Sequence, residues 1–570
     1  MFRSMELRRY LPNCGFFRKF DRENVAHLVV VGLGNAEDPG KRLPCAGLRS
    51  RSSYKGILMS GTKLRWRVVG AALTWSMAAA AVLSCGEGST GASDLGVLGP
   101  DLGTADAAAL EVVQVSAVSP SGGGTAGGTA ITLTGSGFRS GALVRVGGTI
   151  ASSIQVSPDG GSLTCNTPAR PGRPGPVDIT VTNVSGQSAT LSQSFRYFLS
   201  TLSFDPPTAL VGSDAGPRSV GVADLNKDGS LDLVVVYQTS STVHSYRNSG
   251  SGTFSLASTR SVGSSPIGLT LADVNADGKL DAATASPGMS VVSVLLGDGT
   301  GALTSAASSA TGGGTQPVAV IALDVNNDGN LDLLTANSTS AASGNLGLLL
   351  GNRSATFSLG TAIATSATSL VGLTAIDVNS DGKLDAVGIH RLNQLGVTNV
   401  SVLQNRGVST PPLLTLLGAK TQQVNPSAVG SGDFNRDGVM DVVVASDVAP
   451  TGKLTVLMGQ AAGALGDGSA ASTYDLDGTP TGLAVADLDG DGNLDVICAN
   501  TSGVSGNLSL LRGKGNGTFS PSQRIDFSSV IRPSAVAVGD FDFDGIVDLV
   551  ITDQPSVGAG AVLVRRGIGQ

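Results

Sequence analysis

Asp487-Leu-Asp-Gly-Asp-Gly-Asn-Leu-Asp495 is the stretch on which the reading of this chain turns. Carboxylates stand at positions 1, 3, 5 and 9 of a nine-residue loop, with glycine at position 6. Hard cations such as Ca²⁺ take six to eight oxygen ligands, and this spacing curls four side chains around one point. Gly492 supplies a sharp turn that a side chain would resist. The pattern recurs seven times between Asp224 and Asp548, so chance acidity does not account for it.

Position 1 is Asp224, Asp273, Asp324, Asp377, Asp433, Asp487 and Asp540. Position 3 is Asn226, Asn275, Asn326, Asn379 and Asn435 in the first five loops, then Asp489 and Asp542. Position 5 is Asp228, Asp277, Asp328, Asp381, Asp437, Asp491 and Asp544. Position 9 is Asp232, Asp281, Asp332, Asp385, Asp441, Asp495 and Asp548. These side chains, with a backbone carbonyl near position 7, are enough oxygens for Ca²⁺. Three or four carboxylates in one tight loop repel each other unless a dication relieves them. Up to seven Ca²⁺ ions are therefore expected, in a structural role. Aspartate, asparagine and glycine also build tight metal-free turns, which is the competing explanation.

The first aspartates lie 49, 51, 53, 56, 54 and 53 residues apart. A fixed period of this size outranks any local assignment. Each unit runs from an apolar strand such as Ala535-Val-Ala-Val538 into the acidic loop. A β-branched strand such as Asp232-Leu-Val-Val-Val236 follows, then a strand ending in glycine, as in Val294-Leu-Leu-Gly297. A Gly517-Thr-Phe519-like segment comes last. Four strands per unit without a helical period predict propeller blades. The seventh unit holds only three strands up to residue 570, and Leu202-Ser-Phe-Asp-Pro-Pro-Thr-Ala-Leu-Val211 reads as the missing fourth. That closes a ring; a linear stack, the alternative, leaves sheet edges unpaired.

The loops and their strand context resemble FG-GAP/VCBS repeats, of the kind found in integrin α-subunit propellers, over residues 202–570. Ahead of them, residues 111–198 show short alternating strands, as in Ala130-Ile-Thr-Leu-Thr134 and Val177-Asp-Ile-Thr-Val-Thr182. Val118-Ser-Pro120, Leu133-Thr-Gly-Ser-Gly-Phe138, Thr167-Pro168 and Ser194-Phe-Arg-Tyr197 are similar to the IPT/TIG family. The expected fold is all-β: an immunoglobulin-like sandwich followed by a seven-bladed β-propeller at 201–570.

Charge is unevenly spread. Of 37 Lys+Arg and 44 Asp+Glu, residues 1–84 hold 14 and 5, leaving 23 and 39 beyond. The acidic remainder carries no basic stripe, which argues against a nucleic-acid partner. Lys63-Leu-Arg-Trp-Arg67 followed by the apolar stretch Val68 to Val82 has signal-peptide layout over 59–84. The run Val82-Leu-Ser-Cys85-Gly86 resembles a bacterial lipoprotein signal, which implies lipidation at Cys85 and a membrane anchor; a plain secretory signal is the alternative. Residues 85–110 read as a flexible tether. Met59 offers a second translation start, and residues 1–58 are read as an upstream or disordered segment without a role. Cys165 and Cys498, in different domains, form no disulfide framework and are expected to be buried thiols.

Catalytic signals are sparse. After the signal the histidines are His244 and His390, in different repeats and outside any Ser/His/Asp or metal-histidine pattern. They are expected at the surface or between blades. The resemblances imply an exported calcium-binding propeller lipoprotein of the outer membrane or cell surface. The expected role is adhesion or the binding of a protein or glycan ligand, and with no catalytic constellation identifiable no enzymatic activity is expected. A propeller enzyme acting on polysaccharide and a purely structural envelope component are the alternatives.

Overall fold

The computed structural model describes residues 112–569 apart from 312–315, 339–344, 366–368, 392–397, 410–412, 422–424, 449, 461–462, 467–472, 503–504, 528–531 and 555–559. The signal segment, Cys85, the tether and residues 1–58 lie outside the described residues. Among the described residues every regular element is a strand.

Alternation builds the first domain. In Ala130–Ser136 the side chains of Ile131 and Leu133 are buried while their neighbours face out, the pattern of a strand with one face on a core. One sheet has the order Gln114–Ser119, Ala130–Ser136, Ser162–Asn166, Ser152–Val156. The other has Gly122–Gly124, Ser188–Phe198, Gly175–Thr182, Leu143–Val146, Thr149–Ile150. Val144, Ile179, Val181, Phe195 and Tyr197 fill the space between them, and the Tyr197 hydroxyl donates to the Pro168 carbonyl at 2.8 Å.

The repeats behave differently. Seven antiparallel sheets follow, here called blades 1 to 7, each of four strands except blade 3, whose outer strand is split into Phe357–Leu359 and Ile363–Ala364. Their first strands are Pro217–Ala223, Gly268–Ala272, Pro317–Leu323, Leu370–Ile376, Pro426–Gly432, Thr479–Ala486 and Pro533–Gly539. The second strands start at the ninth loop residue, and their first six residues are all buried in every blade, as in Asp232–Tyr237 and Asp548–Asp553. Such strands lie between neighbouring blades on both faces, so they read as continuous apolar runs instead of alternating ones. Each first strand packs on that of the next blade, and Pro533–Gly539 packs on Pro217–Ala223, closing the ring.

Closure uses the segment before blade 1. Thr208–Ala209 pairs with Ala561–Arg565 as the fourth strand of blade 7. Leu202–Phe204 forms a separate two-stranded sheet with Gly567–Gly569. Across the seam Leu233, Val235 and Tyr237 of blade 1 pack with Val550, Val562 and Val564 of blade 7. Each such buried aliphatic side chain contributes roughly 1.5–3 kcal/mol. Cys165 and Cys498 are free and buried, and burial pushes their thiols up to about 11 and about 12.

The third strands end in glycine for a steric reason. A Cβ on Gly297, Gly351, Gly459, Gly513 or Gly567 would run into the carbonyl oxygen of Leu280, Leu331, Met440, Leu494 or Val547, the eighth residue of the same blade's loop. Blades 1 and 4 place asparagine there instead. Asn248 and Asn405 donate Nδ2 to the equivalent Leu231 and Leu384 carbonyls, both at 3.1 Å. Gly351→Ala is expected to cost about 1–3 kcal/mol of stability through this overlap, measured by guanidinium unfolding. Wild-type stability in that variant would show that the contact is not limiting.

Candidate metal centre

All seven acidic loops share one turn. The glycine at position 6 has φ between +80° and +92° in every case. Position 4 is also left-handed: Lys227, Ala276, Asn327, Ser380, Arg436 and Phe543 have φ of 55–60°, and Gly490 has +78°. Consecutive left-handed corners curl the chain so that carboxylates at 1, 3 and 5 point inward. Five of the seven position-4 residues, all but Asn327 and Gly490, have side chains that disfavour this region, so the residue pattern does not announce it.

The ninth aspartate holds the loop to the blade. In blade 1, Asp232 Oδ2 accepts the Leu225 N–H at 3.1 Å and Oδ1 accepts the Asn248 N–H at 2.8 Å. The same pair recurs in blade 6, where Asp495 takes the N–H groups of Leu488 and Gly513, both at 2.8 Å. Asp281, Asp332, Asp385, Asp441 and Asp548 do likewise. All seven are at most 1% exposed. Each thus ties position 2 of its loop to the end of its third strand.

Beyond this shared frame the loops divide into two groups. In loops 1 to 5 the position-1 carboxylate is satisfied by the chain itself. Asp273 Oδ1 accepts the Asp277 N–H at 3.0 Å and Oδ2 accepts the Gly278 N–H at 2.7 Å, with matching bonds at Asp224, Asp324, Asp377 and Asp433. The position-3 amide helps. Asn226, Asn326, Asn379 and Asn435 donate Nδ2 to Oδ2 of the aspartate at position 5. Asn275 accepts from the Asp277 N–H at 3.0 Å. Asp228 and Asp277 stay below the usual carboxylate range, chiefly because the N–H groups of Ser230 and Lys279 stabilise their charge.

Loops 6 and 7 lack that self-sufficiency. With Asp489 and Asp542 at position 3, Oδ1 of Asp487 and of Asp540 is buried without a hydrogen-bond partner among the described residues. Asp487, Asp489 and Asp491 bring carboxylate oxygens within 4.8 Å of one another, as do Asp540, Asp542 and Asp548. Burial, reinforced by Asp491, pushes Asp489 up to about 6, and burial with the Asp489 charge pushes Asp495 to about 8. Burial likewise lifts Asp548 to about 6. A buried oxygen with no donor inside a crowded set of carboxylates is the donor arrangement a hard dication takes, so these residues fit Ca²⁺. Asp487, Asp489, Asp491 and Asp495 with the Asn493 carbonyl would hold it in loop 6. Asp540, Asp542, Asp544 and Asp548 with the Ile546 carbonyl would do so in loop 7.

Loop 6 receives the sandwich domain, and loop 7 faces it across a cleft. The Leu199 N–H donates to the Asp489 carbonyl at 2.7 Å, and Arg196 Nη1 donates to the Gly490 carbonyl at 3.2 Å while lying 3.8 Å from Asp487. Pro174 sits where a Cβ on Gly490 would be. Arg512 Nη1 reaches the Leu199 and Ser200 carbonyls at 3.3 Å each and Asp489 Oδ2 at 3.4 Å. A cleft of about 430 Å³ separates Arg170–Pro174 from Asp540 and Phe543–Gly545 of loop 7.

Both histidines are buried, at 2% and 0% exposure, not at the surface. His244 Nε2 lies 3.0 Å from Asp214 Oδ2 and Nδ1 lies 3.3 Å from the Tyr246 hydroxyl, which meets Tyr237 Oη at 2.8 Å. Asp214, in the segment leading from blade 7 into blade 1, is thirty positions away from its partner, so no local sequence pattern links the two. His390 Nε2 meets Ser401 Oγ at 2.8 Å, but that serine is fully buried.

Known proteins share parts of this architecture. Residues 224–284, 273–335, 433–498 and 487–551 match the FG-GAP-like repeat, and residues 114–197 match the IPT/TIG domain. The chain therefore carries FG-GAP-like repeats behind a TIG domain. No curated protein matches the sequence. Among solved structures, the chain is similar to a BBS1N protein crystallised with ARL6DN, at 11% identity and a TM-score of 0.43 over 65% of this chain and 96% of that one. It is similar to a Lactobacillus plantarum protein at 12% and 0.41, over 68% and 97%. An auxiliary nutrient binding protein from Bacteroides thetaiotaomicron matches at 12% and 0.35, over 80% and 97%.

The ninth-position bonds lead to a direct test. Asp441→Ala strands two buried N–H groups and is expected to cost about 2–5 kcal/mol, whereas Asp437→Ala, on the exposed side of the same loop, should cost less than about 1 kcal/mol. Denaturant melts of the two variants in chelator would check this. Equal losses would show that the clamp is not special.

Proposed function

We propose that the chain is an exported, surface-anchored, calcium-binding β-propeller lipoprotein that acts in adhesion or in binding a protein or carbohydrate ligand. The observation that carries the calcium part is the unpartnered, buried Oδ1 of Asp487 and Asp540 in loops that otherwise match five self-satisfied ones. Seven blades in a closed ring, with a sandwich domain bonded to loop 6, offer a broad surface. FG-GAP-like repeats and a TIG domain support a binding or adhesion role, since function is carried by sites and a propeller offers a broad face for them. The ion's work is structural: it neutralises charge that the fold has buried.

Calcium that binds the folded state alone adds stability by mass action, about 2.7 kcal/mol at a hundredfold excess over Kd. Chelation is expected to lower the melting temperature, and calorimetry should resolve two tight sites. Asp487→Asn and Asp540→Asn should each remove one of these, while Asp273→Asn should remove neither. Absence of any Ca²⁺-dependent shift in the wild type would refute the reading.

The anchor rests on Val82-Leu-Ser-Cys85. Expressed in a bacterial host, the full chain should partition with membranes and incorporate labelled fatty acid, and Cys85→Ser should abolish both. Label in the Cys85→Ser chain would rule the anchor out.

A further inference from the structure

The acidic loops join first to second strands, so the start of each first strand and the end of each second strand lie on the opposite face. The first strands, each packed on the next, surround the axis of the ring. Arg218 is the second residue of the blade 1 first strand. Arg391 follows the last residue of the blade 4 second strand, Asp385–His390, across the ring, and its N–H donates to the Ser369 carbonyl at 3.0 Å. That bond sets Arg391 level with the start of the blade 4 first strand, whose first residue Leu370 pairs with His390. Both arginines therefore lie on that face, and the Arg391 charge is felt by Arg218.

Neither has a counter-charge among the described residues. Arg218 is half-buried and Arg391 exposed. Burial, with the charge of Arg391 added, pushes the Arg218 guanidinium below its usual range, and no carboxylate acts to raise it. The acids of this face are committed elsewhere. Asp214 serves Thr242 and His244, Asp477 takes the Ser509 hydroxyl at 2.9 Å, and Asp553 takes the Arg532 N–H at 2.7 Å. Asp447, one blade on from Arg391, takes the Thr479 hydroxyl at 3.4 Å. The stretches 339–344 and 392–397, which follow second strands in sequence, contain no aspartate or glutamate. Two like charges without a partner on a partly dry face are unfavourable until an anion joins them, and a guanidinium offers paired donors that match an oxyanion.

We propose that Arg218 and Arg391 form an anion site on the face away from the acidic loops, taking one carboxylate, sulfate or phosphate group of a ligand. This names the ligand chemistry for the binding role proposed above and rests on that role. It uses other residues on the other face, so the two fail separately: chelation tests the calcium loops and leaves these arginines untouched.

The test titrates the calcium-loaded full chain with glucuronate, inorganic sulfate and inorganic phosphate, reading thermal shift and calorimetric heat. Glucose and sodium chloride at matched ionic strength are the controls. A saturable response to at least one oxyanion is expected, with none to glucose; the preferred probe separates a uronate from a sulfate or phosphate source. Arg391→Ala, at an exposed position, should weaken that binding at least tenfold. Arg218→Lys should weaken it too while keeping a charge in the strand. Arg524→Ala, whose guanidinium is paired with Asp526 at 2.7 Å, should bind like the wild type. No saturable response from the wild type, or unchanged binding by both the Arg391→Ala and Arg218→Lys variants, overturns the proposal.

Discussion

The buried carboxylate at the ninth loop position is the interaction on which the propeller depends. It is one side chain with two acceptor oxygens, and each takes a backbone N–H from a different part of the blade. Without it, the loop that leaves the first strand would have no fixed relation to the end of the third. Hydrogen bonds from two N–H groups favour the ionised form, but burial opposes it more strongly, and the carboxyls of Asp281, Asp332 and Asp548 rise to about 6. A blade is therefore locked by a group that is itself uncomfortable. A cation held by the loop would relieve that discomfort, which would link the geometry of the lock to the composition of the loop around it.

The way the loops differ shows how that relief is divided. In loops 1 to 5 an asparagine at position 3 lowers the charge count by one and lends an N–H₂ donor to the neighbouring aspartate. Loops 6 and 7 add a carboxylate instead and leave an oxygen bare. Arg196, Arg512 and Arg566 stand beside the outer oxygens of these two loops, but guanidinium groups at 3.4–3.8 Å do not fill the inner position. Loop 6 is also the one on which the sandwich domain rests. The contacts run through main-chain carbonyls of Asp489 and Gly490, so the shape of loop 6 decides whether they can form. Whatever neutralises loop 6 also sets the seat for the preceding domain.

Much of this is legible in the residues alone. A period near 50 residues, strand context on either side of each loop and glycine at position 6 lead to an all-β propeller, and Thr208–Ala209 closes the ring within the segment expected to do so. What stays hidden depends on backbone and on distance in sequence. Lys227, Ala276, Asn327, Ser380, Arg436 and Phe543 have nothing in common as residue types, yet share a left-handed corner, because the loop closes only if that residue turns. Glycine at the end of the third strand is visible, but its cause, a carbonyl from the loop pressed against it, is not. The asparagines at 248 and 405 look like exceptions; they satisfy the same carbonyl by a hydrogen bond. Asp489 and Asp542 are distinguishable as letters, but only the geometry of loops 1 to 5 shows what their replacement of asparagine sets free.

One face of the ring is thus occupied by its own structural demands. Loops, arginines and the sandwich domain consume the polar groups there. On the other face the chain enters each blade through proline in six of seven cases, at 217, 266, 317, 426, 480 and 533, which removes N–H donors from the rim. Hydroxyls at the next position close the gaps between blades: Thr481 Oγ1 donates to the Pro533 carbonyl at 2.6 Å and Ser534 Oγ to the Pro217 carbonyl at 3.0 Å. A rim with few free backbone donors and its hydroxyls already engaged has little left with which to meet a polar ligand. Its recognition capacity is concentrated in the side chains that break the pattern, and in blade 1 the residue at the hydroxyl position is Arg218. The regularity that makes the ring closable is what makes such a departure informative, because a repeat that could have used serine or valine there has placed a charge instead.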